Sequence, residues 1–385
     1  MGTSIATGMV GTSISIRKPV RTVRTLRTGK ARSLTLGRHV LESTPMDLHE
    51  MIRQMPKVEL HVHLEGSIRP ATLLALAERN RVPLPAADLE GLRRFYRFSD
   101  FAHFIHVYLT ISRCLKTSDD FDLIAYEFGA DMRRQNVRYA EVTFTPYTNV
   151  ANTGLPFDEI LAGLNSGRAR AQADFGVEFA WVLDICRDVP DSRHQVAQWA
   201  AAAIDRGVVA LGLGGSEAGH PPEWFADAYC MAREAGLHSV PHAGEVAGPE
   251  SVWGALRALG AERIGHGVRS IEDGKLVETL RERQVPLEVC PTSNLCLGVY
   301  PSYGEHPFRR LWEEGLFVTV NSDDPPMFDT DLVSEYQALA DWMQFSLEEL
   351  KQLSLSALRA SFLPAKRKAA LEAEFVAEFT RLRSG

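Results

Sequence analysis

VELHVHL, at residues 58–64, is a short β-rich run that carries two histidines, His61 and His63, two positions apart. On a strand, residues i and i+2 project to the same side. Seven similar runs follow it: RYAEVTF (138–144), EFAWVLD (178–184), VVALGLG (208–214), HSVPHAG (238–244), RIGHG (263–267), PLEVCPTS (286–293) and FVTVNS (317–322). Amphipathic helical stretches, such as residues 197–206 and 222–235, separate most of them. Eight strands alternating with helices predict an α/β protein, a (β/α)8 barrel of the TIM type. A doubly wound open sheet is the alternative, but no G-x-G-x-x-G follows an early run, so a dinucleotide fold has little support. The longest insertion falls between the first two runs, at residues 68–136. It is expected to hold extra helices, and its aromatic piece at 95–101 reads equally as a lid over the barrel mouth and as packing.

The polar residues fall where such a barrel places chemistry. His63, Glu65, Gly215, His242, Glu245, His266, Ser293, Asn294, Asp323 and Asp324 lie at or just after the C-terminal ends of the predicted strands. Those ends converge on one face. His61 and His63 begin a metal site, to which His242 and Asp323 add a third histidine and a carboxylate. Three imidazoles and a carboxylate suit Zn²⁺, with Fe²⁺, Mn²⁺ or Co²⁺ as alternatives. Glu245, three residues after His242, reads either as the carboxyl that handles a proton at the metal's water or as a first-turn helix residue. His266, between glycines, is either an orienting imidazole or a structural one. Asp324 points toward a ligand or supports its neighbour, unless Asp-Asp-Pro marks only a turn.

Composition narrows the field. The chain has 385 residues, 45% of them hydrophobic, and a formal net charge of -7. That balance gives no push toward nucleic acid or an anionic membrane. No apolar run approaches the length of a membrane helix. The five cysteines (Cys114, Cys186, Cys230, Cys290, Cys296) form no C-x-x-C, which fits reduced thiols and a cytoplasmic location and argues against a thiolate zinc site. The first 40 residues are different: they hold eight Lys and Arg and no acid. Residues 1–46 are therefore expected to be a basic, disordered extension. Such a segment is an over-called start ahead of Met46 or Met51, a transit peptide, or a basic tail. Residues 47–385 are expected to form one barrel.

Six motifs, PKVELHVHLEGS (56–67), GLGGSE (212–217), HAGE (242–245), RIGHG (263–267), CPTSN (290–294) and NSDDP (321–325), together resemble the adenosine deaminase family of metal-dependent amidohydrolases. The resemblance spans about residues 50–380. It implies one Zn²⁺ per chain on His61, His63, His242 and Asp323. It implies Glu245 as the group protonating purine N1, and His266 as the residue orienting the attacking hydroxide. Asp324 would bind N7, the Gly215 N–H would meet N3, and Ser293 and Asn294 would line the pocket. The implied activity is hydrolytic deamination of a 6-aminopurine nucleoside, a small-molecule substrate, with no nucleic acid or membrane partner. One position departs from the adenosine-specific pattern: those members read HLDG and use the Asp on the ribose 5′-hydroxyl, whereas this chain reads His63-Leu-Glu65-Gly66. Members reading HLEG include adenine and aminodeoxyfutalosine deaminases, which are the alternatives. A non-purine amidohydrolase and a non-catalytic binding protein on the same barrel are the remaining readings. The sequence leaves the oligomeric state open.

Overall fold

The computed structural model describes residues 47–384, so the expectations for residues 1–46 lie outside the described residues. Eight parallel strands follow one another around a single sheet in chain order. They are β1 (Lys57–His63), β2 (Val137–Phe144), β3 (Glu178–Cys186), β4 (Val208–Gly214), β5 (His238–Ala243), β6 (Ile264–His266), β7 (Leu287–Val289) and β8 (Val318–Val320). A parallel bridge between Val62 and Asp323 joins the first strand to the end of the last. There the His63 N–H donates to the Asp323 carbonyl at 2.8 Å, and the Asp323 N–H donates to the His61 carbonyl at 3.1 Å. The expected (β/α)8 barrel is the observed fold.

Two of the expected strands are too long. The runs at 286–293 and 317–322 contain only three strand residues each, and Pro291–Cys296 is a helix. Proline explains the break at Pro291: its fixed φ and missing N–H suit the first helical turn and deny β7 a ladder bond. Ser293 and Asn294 therefore sit on a short helix above the barrel rather than on a strand end.

The long insertion contains helices Pro70–Asn80, Leu89–Phe95, Phe101–Ser112 and Ser118–Arg134. Asp100 caps the third of these, its carboxylate accepting from the His103 N–H at 2.9 Å. Such a cap satisfies one of the orphan donors of the first turn. The aromatic piece divides its work. Phe98 packs against Phe104 and Phe328, with ring centres 5.3 and 5.7 Å apart, whereas Phe101 opens onto the cavity at the barrel mouth.

Inside the barrel, Val182, Ala210 and Val240 form a small apolar layer with Phe362 against it. Burying each of the two valines is worth roughly 1.5–3 kcal/mol. Phe362 follows the helix Leu347–Ala360 and closes the end away from the mouth. Its ring lies 3.7 Å from His238 and 3.9 Å from the Arg263 guanidinium. Arg263 is 1% exposed and bonds to Glu141 and Glu288, each at 2.5 Å. A buried cation is tolerable only when it is paired in this way. No helix among the described residues is long and apolar enough to cross a membrane.

Candidate active site

The ends of β1, β5, β6 and β8 bring four imidazoles and two carboxylates together. His61, His63, His242, His266, Asp323 and Asp324 offer ligand atoms in three overlapping groups, within 4.8 Å of one another in each. The separations test whether a metal fits. His63 Nε2 lies 3.2 Å from His242 Nε2, and Asp323 Oδ1 lies 3.3 Å from His63 Nε2 and 3.6 Å from His61 Nε2. Bonds of about 2.0–2.1 Å in a tetrahedron place the donors about 3.4 Å apart. Two imidazole nitrogens facing each other at 3.2 Å, and the buried His61 Nε2 without a hydrogen-bond partner among the described residues, are what a shared cation resolves. The donor set therefore fits one divalent ion held by His61, His63, His242 and Asp323.

The backbone is bent to achieve this. His266 and Asp323 have φ of 58° and 65°, a left-handed conformation that is uncommon outside glycine. Such residues persist where the surroundings over-determine them. Ser293 Oγ donates to Asp323 Oδ2 at 2.6 Å, and Asn294 Nδ2 lies 3.4 Å from His266 Nδ1. His306, 3.1 Å from Asn294 Oδ1, holds that amide in turn. Gly265 is obligatory for space, because a Cβ there would lie 2.8 Å from the His61 ring and 3.1 Å from the His242 backbone.

A cavity of about 290 Å³ opens on this cluster. One wall is apolar, from Phe101, Phe104, Ile105, Leu109, Ile185 and Leu297; the floor has Asp184, Gly215, His242, Glu245, His266 and Asp324. Asp184, Glu245 and Asp324 each leave one buried oxygen without a partner among the described residues. Burial raises Glu245 well above the usual carboxylate range, and the charge of Asp323 adds to this. Burial and Asp323 do the same to Asp324. Burial lifts Asp184 to about 8. Burial, followed by the nearby His61, takes His266 down to about 3, so its imidazole is neutral. For Asp323 burial acts upward, but His61, His266 and His63 outweigh it and hold the carboxyl well below its usual range. The site thus sets a carboxyl pushed toward ionisation, Asp323, beside carboxyls pushed toward the protonated form, the kind of separation that acid–base chemistry uses.

Glu65 is placed differently from the rest. Its Oε1 accepts from the Thr145 N–H at 3.0 Å and from Asn149 Nδ2 at 2.7 Å, and the residue is fully buried behind the cavity wall. Four residues that sequence reasoning left unassigned also belong to the site. Asp184 ends the inward-facing alternation Ala180, Val182, Asp184 on β3, a pattern legible in EFAWVLD. Glu288 stands 3.0 Å from His61 Nδ1, the outer support that a metal-binding imidazole needs to fix its tautomer. Its only signal was a charge between Leu287 and Val289 in an apolar strand. Glu217 and Arg187 hold the loop of Glu245; Glu217 ends the GLGGSE motif without a role assigned to it, and no local pattern marks Arg187.

A barrel with this donor set at its C-terminal mouth defines a metal-dependent hydrolase of the amidohydrolase type. The pattern described as adenosine deaminase matches residues 56–378. Aminodeoxyfutalosine deaminase of Streptomyces coelicolor is 42% identical over 364 residues, covering 93% of this chain and 92% of the relative. Among solved structures, adenine deaminase from Arthrobacter aurescens superposes with a TM-score of 0.81 at 34% identity, over 86% of this chain and all of that one. An amidohydrolase from Burkholderia ambifaria with bound Zn gives 0.82 at 29% identity, over 89% and 96%. The chain belongs to the adenosine deaminase family, and it is a hydrolase acting on a C–N bond of an aminopurine.

Proposed function

We propose that this protein is a zinc-dependent deaminase of a 6-aminopurine nucleoside, releasing ammonia and the 6-oxo product. The observation that carries the reading is the cluster of imidazole and carboxylate donors, with separations of 3.2 Å (His63–His242), 3.3 Å (His63–Asp323) and 3.6 Å (His61–Asp323), beside one unpartnered oxygen each of Glu245 and Asp324 at the same cavity. His61, His63, His242 and Asp323 would hold the ion. When bound, it acidifies water toward a pKa of about 7, so that hydroxide is available at neutral pH. Glu245 gives its proton to N1, which breaks the aromaticity of the ring and makes C6 electrophilic. His266, neutral and aligned by Asn294, orients the hydroxide that adds to C6. Asp324 hydrogen-bonds N7 and the Gly215 N–H meets N3, fixing the ring's register. Proton transfer to the exocyclic amine then expels ammonia.

The nucleoside form draws support from the apolar wall that the helix Phe101–Ser112 adds beyond the metal cluster, and from the 42% identity to an aminodeoxyfutalosine deaminase. A free adenine substrate is the second reading. It is favoured by Glu65, which is fully buried with Oε1 bonded to Thr145 and Asn149 and is not among the residues that line the cavity. A panel of adenine, adenosine, deoxyadenosine, adenosine phosphates and aminodeoxyfutalosine, read by ultraviolet shift on the zinc-loaded protein, separates the two. The nucleoside reading expects turnover of at least one nucleoside-type compound above that of adenine. Glu245→Gln should lower kcat by about 10²–10⁴-fold, the usual scale of positioned acid–base catalysis. If no compound in the panel is turned over, the deaminase reading is lost.

A further inference from the structure

GLGGSE ends in Glu217, a residue for which the reaction described above has no use. Its side chain is 6% exposed and reaches the turn after β5. There Oε1 accepts from the Gly244 N–H at 2.5 Å. Oε2 accepts from the N–H groups of Glu245, Val246 and Ala247 at 3.1, 2.8 and 2.8 Å. Four consecutive amides converging on one carboxylate form an anion-binding concavity filled by the protein's own side chain. Bonds to an ionised acceptor are roughly twice as strong as neutral ones. Val246 is 42% exposed at the crest of the turn, whereas Gly244, Glu245 and Gly248 are buried. Its outer edge is held by Arg269, which donates to the Val246 carbonyl at 2.5 Å.

Arg187 completes the arrangement. It is fully buried just after β3. One guanidinium nitrogen bonds the His220 carbonyl in the Glu217 loop, and another donates to the His242 carbonyl at 2.5 Å. One residue thus ties the Glu217 loop to the strand end that carries His242, while Glu217 ties that loop to the turn that carries Glu245. The carboxyl of Glu245 must meet ring N1 while its backbone belongs to a turn outside the barrel ladder, so an error of about 1 Å in that turn can cost about 100-fold in rate.

We propose that Glu217 is the positioning residue of Glu245, and that Arg187 locks this clamp to the metal-bearing strand. The proposal rests on the catalytic reading of Glu245, and the test separates the two. Zinc-loaded full-length protein is compared with Glu217→Gln, Glu217→Asp, Arg187→Met, Arg187→Lys and Glu245→Gln. The readouts are kcat, KM, zinc retention against a chelator, and amide exchange over residues 243–248. Glu217→Gln should lower kcat about 10–100-fold, the scale for lost outer-shell support, with KM and zinc retention within about twofold and faster exchange at 244–247. Glu217→Asp, which keeps the charge, should recover part of kcat. If Glu217→Gln does not fold, Glu217→Asp alone decides, because its shortened reach should still lower kcat and quicken exchange. Arg187→Met should instead weaken zinc retention about 10–100-fold through His242, and Arg187→Lys should restore part of it. Wild-type kcat in the Glu217 variants, or loss of zinc in step with kcat, overturns the clamp. Wild-type kcat in Glu245→Gln overturns the catalytic reading itself.

Discussion

The two halves of the barrel are built differently. β1 to β4 run seven to nine residues each, whereas β6, β7 and β8 run three. In the long half, His61 and His63 sit on a seven-residue strand paired with β2, which shifts register between Glu59 and Val62, and the strand itself aims them. In the short half the chain leaves the ladder early, and His266 and Asp323 take left-handed backbone to face the metal position. Side chains there replace strand bonds: Asn321 Oδ1 accepts from the Leu60 N–H at 2.9 Å, and Glu59 Oε1 from the Ser322 N–H at 3.0 Å. The long half thus gets its precision from backbone pairing, and the short half from particular side chains. Substitutions should reveal the difference.

The largest contrast is between Asp323→Ala and Val182→Ala. Asp323 closes the seam at Val62 and carries the only carboxylate of the proposed cage, so its loss should bring zinc content and turnover to background. Val182 lies 2% exposed in the apolar layer of the long half. Removing its two methyls should cost about 2 kcal/mol of stability while leaving zinc bound at one per chain. Metal analysis and urea unfolding of both variants check this. An Asp323→Ala protein that still holds zinc as tightly as wild type would break the comparison.

Glu288→Gln probes the next level. Glu288, on short β7, joins His61 Nδ1 to Arg263, so a ligand from the long half is held in orientation by the short half. Glutamine keeps the shape but loses the charge that fixes the imidazole tautomer. Zinc retention should fall about 10–100-fold, readable by chelator competition, and unchanged retention would make Glu288 a partner of Arg263 alone.

This division also explains what was legible in the sequence. Strand number, order and the site-bearing ends could be read because period-2 alternation and motif spacing are local. The proposed ligands His61, His63, His242 and Asp323 were nameable from the same patterns. The lengths of β7 and β8 were misjudged, because the expected strands were carried on into the polar motif residues that follow Val289 and Val320, where the ladder has already ended. Asp184 could have been found from its alternation on β3. The roles of Glu217, Arg187 and Glu288 could not: each acts on a segment 20 or more positions away, and even the GLGGSE motif that contains Glu217 does not say what its side chain reaches. Glu65 was read through its motif, and only the fold shows it turned toward Thr145.

An effect on stability alone concerns the prop beneath the short half. Glu335, on the helix Leu332–Met343, is fully buried and accepts from the Thr292 N–H at 3.2 Å and from Thr330 Oγ1 at 2.6 Å. It anchors the short helix that carries Ser293 and Asn294. Burial, against the pull of those hydrogen bonds, raises its carboxyl to about 7 from an ordinary 4.5. The folded chain therefore holds a proton that the unfolded chain has released between those values. This contribution to stability is full below about pH 4.5 and is lost as pH rises through 7. Glu335→Gln keeps an acceptor oxygen and cannot ionise. Its stability relative to wild type should therefore improve from pH 5 to pH 8 by up to about 3 kcal/mol, measured by urea unfolding of the zinc-loaded proteins. Parallel pH profiles for the two would show that Glu335 is ionised throughout, with its bonds to Thr292 and Thr330 offsetting its burial.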